Sequence, residues 1–361
     1  MNTDSLIITT SPHIHHRDTT ASIMWRVSAA LAPAALWGVY QFGLSSLTVL
    51  LVSIASCLLF EYFAGRATGR FTLNDGSAFL TGLLVGMNMP GTIPLYIPVI
   101  ASAFAILVVK WTFGGLGRNW MNPALAGRVF VFFSWTGDMT TWPVPRALRL
   151  DAVTMSTPLS SIKTGLLELT EPVSGPMALL RDLGFPVSDL DMNLTASFRG
   201  IFPGLENGYF DLFLGNIPGC IGEASALLLL AGGIYLMLVK IVNWEIVASY
   251  AASFVVLIFL FAGIPFGSGL FAGDVLFHIL SGGFMLGLLF MATDMVSSPL
   301  TKKGMLIYGA GIGFLTFLIR IFGSFPEGVS LAIILMNIFV PMINRYTQPK
   351  LFGEVRQEAA K

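Results

Sequence analysis

Apolar segments recur along this chain at roughly 22–41, 44–64, 77–89, 94–110, 119–135, 222–241, 245–263, 273–293, 305–322 and 328–345. Many approach the length, about 20 residues, at which an apolar helix spans hydrocarbon. Inside hydrocarbon every backbone N–H and C=O must be paired within the protein, which leaves helices or closed barrels. The segments are too long and too continuous for barrel strands. Of the 361 residues, 55% are hydrophobic and 11% are charged, against roughly 25% charged in soluble domains. The expected fold is an all-α polytopic membrane protein with about ten transmembrane helices.

Five segments precede a long insert and five follow it. This divides the chain into a cytoplasmic tail (1–21), a first membrane half (22–135), an insert (136–221), a second membrane half (222–345) and a cytoplasmic tail (346–361). Lys and Arg set the orientation through their enrichment in cytoplasmic loops. Arg17, Arg26, Arg66, Arg70, Lys110, Arg118, Lys240, Lys302, Lys303, Arg345, Lys350, Arg356 and Lys361 fall on one side if both termini are cytoplasmic. The alternate loops 90–94 and 264–272 have none, so the insert is expected on the outer, extracytoplasmic side of the membrane. An odd number of spans per half turns the second half upside down, which is the arithmetic of two inverted five-helix repeats. Asp75–Met89 makes only roughly 22 Å of helix before Pro90, Gly91 and Pro94 interrupt it. The third segment therefore reads as a broken central helix. Its expected counterpart is the eighth, ending in Met291–Pro299. Gly82-x-x-x-Gly86 and Gly283-x-x-x-Gly287 in these two segments read as tight helix packing.

The formal net charge is zero, so nothing points to nucleic acid. Cys57 and Cys220 are far apart and form no metal or redox motif. His13, His15 and His16 read as a solvated tail rather than a metal site, since no carboxylate or Cys accompanies them. No Walker loop, HExxH, GxSxG or dinucleotide fingerprint is present. Ionisable residues in apolar segments are functional candidates by default. Glu61 and Arg66 read as interface anchors. Asp75 and Asp294 flank the two broken segments and are candidates for an ion path, with Asp75 also placed to cap the helix that follows it. Arg128 and Arg320 have no acid one turn away, so their partners must come from another helix, an anion or the interface. Asn122 before Pro123 reads as a helix N-cap.

The insert carries the run "DAVTMSTPLSSIK", Asp151–Lys163, rich in hydroxyls. Its bland reading is again a cap: Thr157 at the N-cap, Pro158 at the first helical position, and a helix through "LSSIKTGLLEL". A hydroxyl can also be esterified to a phosphate, and a helix N-terminus favours phosphate. The two readings are compatible.

"NDGSAFLTGLLVGMNMPGTIP" (74–94), "GGLGRNWMNPALAGRVFVFF" (114–133), "DAVTMSTPL" (151–159) and the long stretch 292–343 resemble the RnfD/NqrB family. These are membrane subunits of the Rnf electron-transport complex and of the sodium-pumping NADH:quinone oxidoreductase. The resemblance covers nearly the whole chain. It implies FMN joined through its phosphate to Thr157, with Asp151, Thr154 and Ser156 completing the attachment pattern; Met155-Ser156 stands where relatives often have Gly-Ala. It implies a second, non-covalent flavin such as riboflavin nearer the cytoplasmic face, with Asn119 and Asn122 as candidates to bind it. The implied function is a flavoprotein subunit of an ion-translocating oxidoreductase, passing electrons between ferredoxin and NAD with Na+ or H+ movement. Its implied partners are the other Rnf subunits, above all the second covalent-flavin subunit and the small membrane subunits, besides the lipid bilayer. Two competing readings remain: a small-solute channel of urea-channel-like fold, which should lack the Asp151–Thr157 pattern, and a scaffold in which Thr157 is only a cap.

Overall fold

A computed structural model of the chain describes residues 19–148, 154–167, 172–202, 204–323, 325 and 327–349. The first half opens with α1 (Thr20–Phe42), started by the Thr19 hydroxyl accepting from Ser22 N–H. Gly43, at φ 84°, turns the chain straight into α2 (Leu44–Thr68), and a left-handed Gly69 ends it. There follow α3 (Ser77–Met87), α4 (Tyr96–Ala103), which continues as a π-helical stretch over Phe104–Trp111, and α5 (Pro123–Ser134).

The insert comprises α6 (Thr136–Met139), a two-stranded antiparallel ribbon of β1 (Trp142–Pro143) and β2 (Thr154–Met155), then α7 (Pro158–Leu167), α8 (Pro176–Asp182), α9 (Asp189–Phe198) and α10 (Tyr209–Leu214). Two buried carboxylates organise its far end. Asp191 accepts from the N–H groups of Gly208, Phe210 and Asp211 at 2.7, 2.8 and 3.1 Å. Asp211 accepts from Ser188 N–H at 2.8 Å and from Asn216 Nδ2 at 2.9 Å. Burial raises the Asp211 carboxyl above its ordinary range. Asn216 also accepts from Gln41 Nε2 at 2.6 Å, which fastens the insert to the end of α1.

The second half contains α11 (Ala226–Leu238), α12 (Trp244–Phe261), α13 (Val275–Leu280), α14 (Phe284–Leu286) with a π-helical continuation Gly287–Met291, α15 (Lys302–Phe322) and α16 (Val329–Thr347). Among the described residues, four stretches are long and apolar enough to cross a membrane: Leu44–Thr68, Trp244–Phe266, Lys302–Phe322 and Val329–Thr347. Shorter apolar helices, Ser77–Met87, Tyr96–Trp111, Pro123–Ser134 and Ala226–Leu238, lie among them. The chain is a mostly helical, multi-pass membrane protein.

Both broken segments are present, and the second carries a further break not expected from the sequence. α3 is 11 residues long and stops at Asn88, short of a full crossing. The eighth segment ends at Met291, with turns following through Pro299 as expected, and it is also broken in its middle at Ser281–Gly283, where Gly282 takes φ 65° between α13 and α14. The glycine motifs do pack helices. A Cβ on Gly82 would lie 2.6 Å from the Ile54 backbone of α2, and one on Gly287 would lie 2.2 Å from Val329 of α16.

Candidate functional site

Thr157 is buried and caps α7: its Oγ1 accepts from Ser160 N–H at 3.2 Å and its carbonyl from Ser161 N–H at 2.9 Å. Thr154, exposed, lies on β2 opposite Pro143, and the ribbon delivers the chain to the cap. Ser156 Oγ and Ser161 Oγ are 2.6 Å apart across the first turn. Asp151 lies outside the described residues, as do His13, His15 and His16. Thr157 borders a small cavity that reaches Glu223 and Glu327. Three residues on, Ser160 borders a larger cleft of about 560 Å³ whose walls include Phe132, Trp142 and Phe325, with Arg128 also lining it.

Beneath this surface lies a buried ionic cluster. Arg128 of α5 donates to Glu327 Oε2 at 2.6 Å and to the Ser330 hydroxyl, and its Nη2 stands 3.6 Å from Glu223 Oε1 and 3.8 Å from Cys220 Sγ. Arg320 of α15 donates to the carbonyls of His278 and Ser281, at the C-terminal end of α13, and its guanidinium sits 5.3 Å over the Phe254 ring. A cation there suits the negative end of a helix dipole. Both arginines thus find partners on other elements. Lys163 of α7 donates to the carbonyls of Gly323 and Phe325, which anchors the insert to the end of α15. Burial, and then the nearby Arg320 charge, push its amine down to about 8.

At the end of the molecule away from the insert, a cavity open to solvent is lined by Asn119, Asn122, Lys110, Ser77, Thr293 and Asp294 among apolar side chains. Three of the four residues singled out for this end therefore share one cavity. Asn119 and Asn122 play different parts. Asn122 caps α5, its Oδ1 accepting from Ala124 and Leu125 N–H at 3.0 and 3.3 Å, while its Nδ2 donates to Met291 O at 3.4 Å. Its amide is spoken for. Asn119 donates to Met121 O at 3.1 Å, but its buried Oδ1 meets no partner among the described residues. Asp294 accepts from Ser297 Oγ at 2.7 Å. Asp75 stands outside the cavity lining and accepts from Ser77 N–H and Oγ at 2.8 and 2.5 Å, which fixes the start of α3.

One pair was not visible as a pair in the sequence. Glu61 is buried rather than anchored at an interface: it accepts from Lys110 Nζ at 2.8 Å, from Trp111 Nε1 at 2.9 Å and from the Thr72 hydroxyl. Lys110, which the sequence places among the loop charges, is itself buried on the π-helical stretch and also meets Ser77 Oγ at 2.7 Å. Arg66 does remain exposed, near the Tyr62 hydroxyl. The signal was present as two charges inside apolar segments, but 49 residues separate them. Among the described residues no cluster of His, Cys, Asp and Glu can hold a metal ion.

The NQR2, RnfD, RnfE family model matches residues 7–353. The chain belongs to this family. It is 40% identical to the D subunit of the proton-translocating ferredoxin:NAD(+) oxidoreductase complex of Clostridium ljungdahlii, over 97% of this chain and 96% of the relative. To the D subunit of the Na(+)-translocating ferredoxin:NAD(+) oxidoreductase complex of Acetobacterium woodii it is 39% identical, over 99% of each. A third relative, the D subunit of the ion-translocating oxidoreductase complex of Stutzerimonas stutzeri, is 36% identical over 93% of each. RnfD-type membership thus holds over nearly the whole chain, not through one local motif.

Proposed function

We propose that this chain is the D subunit of an Rnf-type ion-translocating ferredoxin:NAD oxidoreductase, a membrane flavoprotein with FMN esterified to Thr157. In this reading the other subunits of the complex are its partners, the two halves are inverted repeats, both termini are cytoplasmic and the insert is periplasmic. The observation that carries the reading is the combination of full-length family membership with the setting of Thr157, whose hydroxyl caps the start of α7 one turn before Ser160, which borders an aromatic-walled cleft.

The residues fit the group. The positive end of the α7 dipole favours a phosphate at its first turn, and Phe132, Trp142 and Phe325 offer flat apolar walls for a ring system. At the other end, the unpartnered Asn119 Oδ1 is an acceptor suited to the imide N–H of a second, non-covalent flavin such as riboflavin. The Lys110 ammonium lines the same cavity. A bound flavin supplies one- and two-electron transfer; the protein supplies position, local charge and exclusion of water. Thr157 holds the phosphate, the cleft walls shield the ring, and Arg128 and Lys110 place positive charge near the two sites. Asp294, in the wall of the second cavity, is the stronger of the two ion-path candidates; Asp75 acts through Ser77 on the Lys110 network.

Expression with the flavin-transfer machinery, followed by SDS denaturation and in-gel fluorescence, tests the tether. The wild-type band should fluoresce. Thr157→Val should be dark, and so should Thr157→Asn, which retains a helix cap but has no hydroxyl to esterify. A dark wild-type band contradicts the reading. For the second flavin, Asn119→Leu should lower the flavin released on denaturation and leave the covalent band unchanged.

A further inference from the structure

We propose that Glu223 is an exchangeable proton site on the insert side of the membrane, held between Arg128 and the break separating α13 from α14. Glu223 is buried, in the short turn that leads into α11. The two carboxylates of the cluster are unequally served. Glu327 has a close ion pair with Arg128 at 2.6 Å, whereas Glu223 Oε1 is 3.6 Å from the same guanidinium, too far for a hydrogen bond, and has no partner among the described residues. A buried carboxylate with an unserved oxygen is costly when ionised, and binding a proton removes that cost.

The surroundings of that oxygen are polar and only partly used. Arg128, whose guanidinium faces that oxygen, likewise has its Nε buried without a partner among the described residues. Glycine keeps the space beside the carboxyl open, because a Cβ on Gly283 would lie 2.5 Å from Glu223 Oε1. The charged and titratable groups around Glu223 are Arg128 on α5, Glu327 ahead of α16, Arg320 on α15 and Cys220 on its own segment. Two arginines so close disfavour a metal cation. A proton needs only the oxygen, and leaves the carboxyl neutral. Access comes from the insert side, where a small cavity joins Thr157, Pro218 and Gly219 to Glu223 and Glu327. The exchange is a simple transfer: a proton from that side forms an O–H bond at the carboxylate and leaves by the reverse step.

Infrared difference spectroscopy on the full chain in lipid nanodiscs reads this directly, whether or not flavin is attached, so its outcome is separate from that of the tether experiment. A carboxylic-acid C=O band should grow as pH falls at fixed Na+, shift in deuterium oxide, vanish in Glu223→Gln and persist, displaced, in Glu327→Gln. Glu223→Asp should move the band rather than remove it, which serves if the Gln variant does not accumulate. A pH-dependent difference spectrum unchanged by substitution of Glu223 overturns the proposal. So does a response of the Glu223 carboxyl to Na+ at fixed pH, which would make the occupant a metal ion.

Discussion

The molecule buries charge at both ends, in two different ways. Away from the insert, Glu61 and Lys110 form a closed set: Lys110 Nζ has Glu61 and Ser77, and Glu61 has Lys110, Trp111 and Thr72. Toward the insert, Arg128, Glu223 and Glu327 form an open one, with Glu223 Oε1 and Arg128 Nε left without partners among the described residues. A closed set braces α2 against the π-helical end of the fourth segment. An open set retains capacity to bind. The difference teaches that a charge in an apolar segment marks function chiefly when its hydrogen-bonding capacity is unspent; Asn119 and Asn122 repeat the lesson on a smaller scale.

Breaking the closed pair should have the largest effect. Lys110→Met strands Glu61 and is expected to cost about 3–5 kcal/mol, whereas Glu61→Leu combined with Lys110→Met should cost much less than the sum of the singles. Denaturation in mixed micelles, analysed as a double-mutant cycle, checks this; simple additivity would mean the pair is not coupled. Overpacking comes next: Gly82→Leu drives a side chain into the backbone of α2 and should cost about 1–3 kcal/mol, read as a lower melting temperature. Thr157→Ala removes the cap of α7 and should cost about 1 kcal/mol, most of which Thr157→Asn restores, although both lack flavin. Glu223→Gln sharpens the contrast with Glu61, since it should stay within about 1 kcal/mol of wild type.

The smallest effect is a pH slope. Lys163 gives up its proton near pH 8 in the folded protein, against an ordinary value of 10.5. Between these values the unfolded chain binds more protons, so this group makes stability rise with pH across the window. Its unfavourable contribution is present in full below pH 8. Lys163→Met should flatten the slope, measured as melting temperature against pH; an unchanged slope would place the titration elsewhere.

Much of this was legible from local pattern. The apolar segments, the Thr157-Pro158 and Asn122-Pro123 helix starts and the early stop of the third segment depend on neighbouring residues, and local chemistry decides them. The break at Gly282 was not foreseen because a Gly-Gly pair inside an apolar run resembles packing glycine until the backbone shows a left-handed turn. The ionic pairs were illegible because they join residues such as Arg128 and Glu327, 199 positions apart. Sequence identified Arg128 and Arg320 as needing partners, but the fold alone selects those partners. The Asp191 and Asp211 network escaped notice for a related reason: acids in a polar insert look solvated, and only burial shows that backbone N–H groups hold them.

Peptide mass spectrometry of the insert tests the central claim most directly. Digestion of the membrane-purified wild type should yield the segment containing Thr157 heavier by FMN less one water, with fragment ions locating the added mass on Thr157. Recovery of that segment only at its unmodified mass, from protein expressed alongside the flavin-transfer machinery, would contradict the assignment of this chain as a covalent flavoprotein.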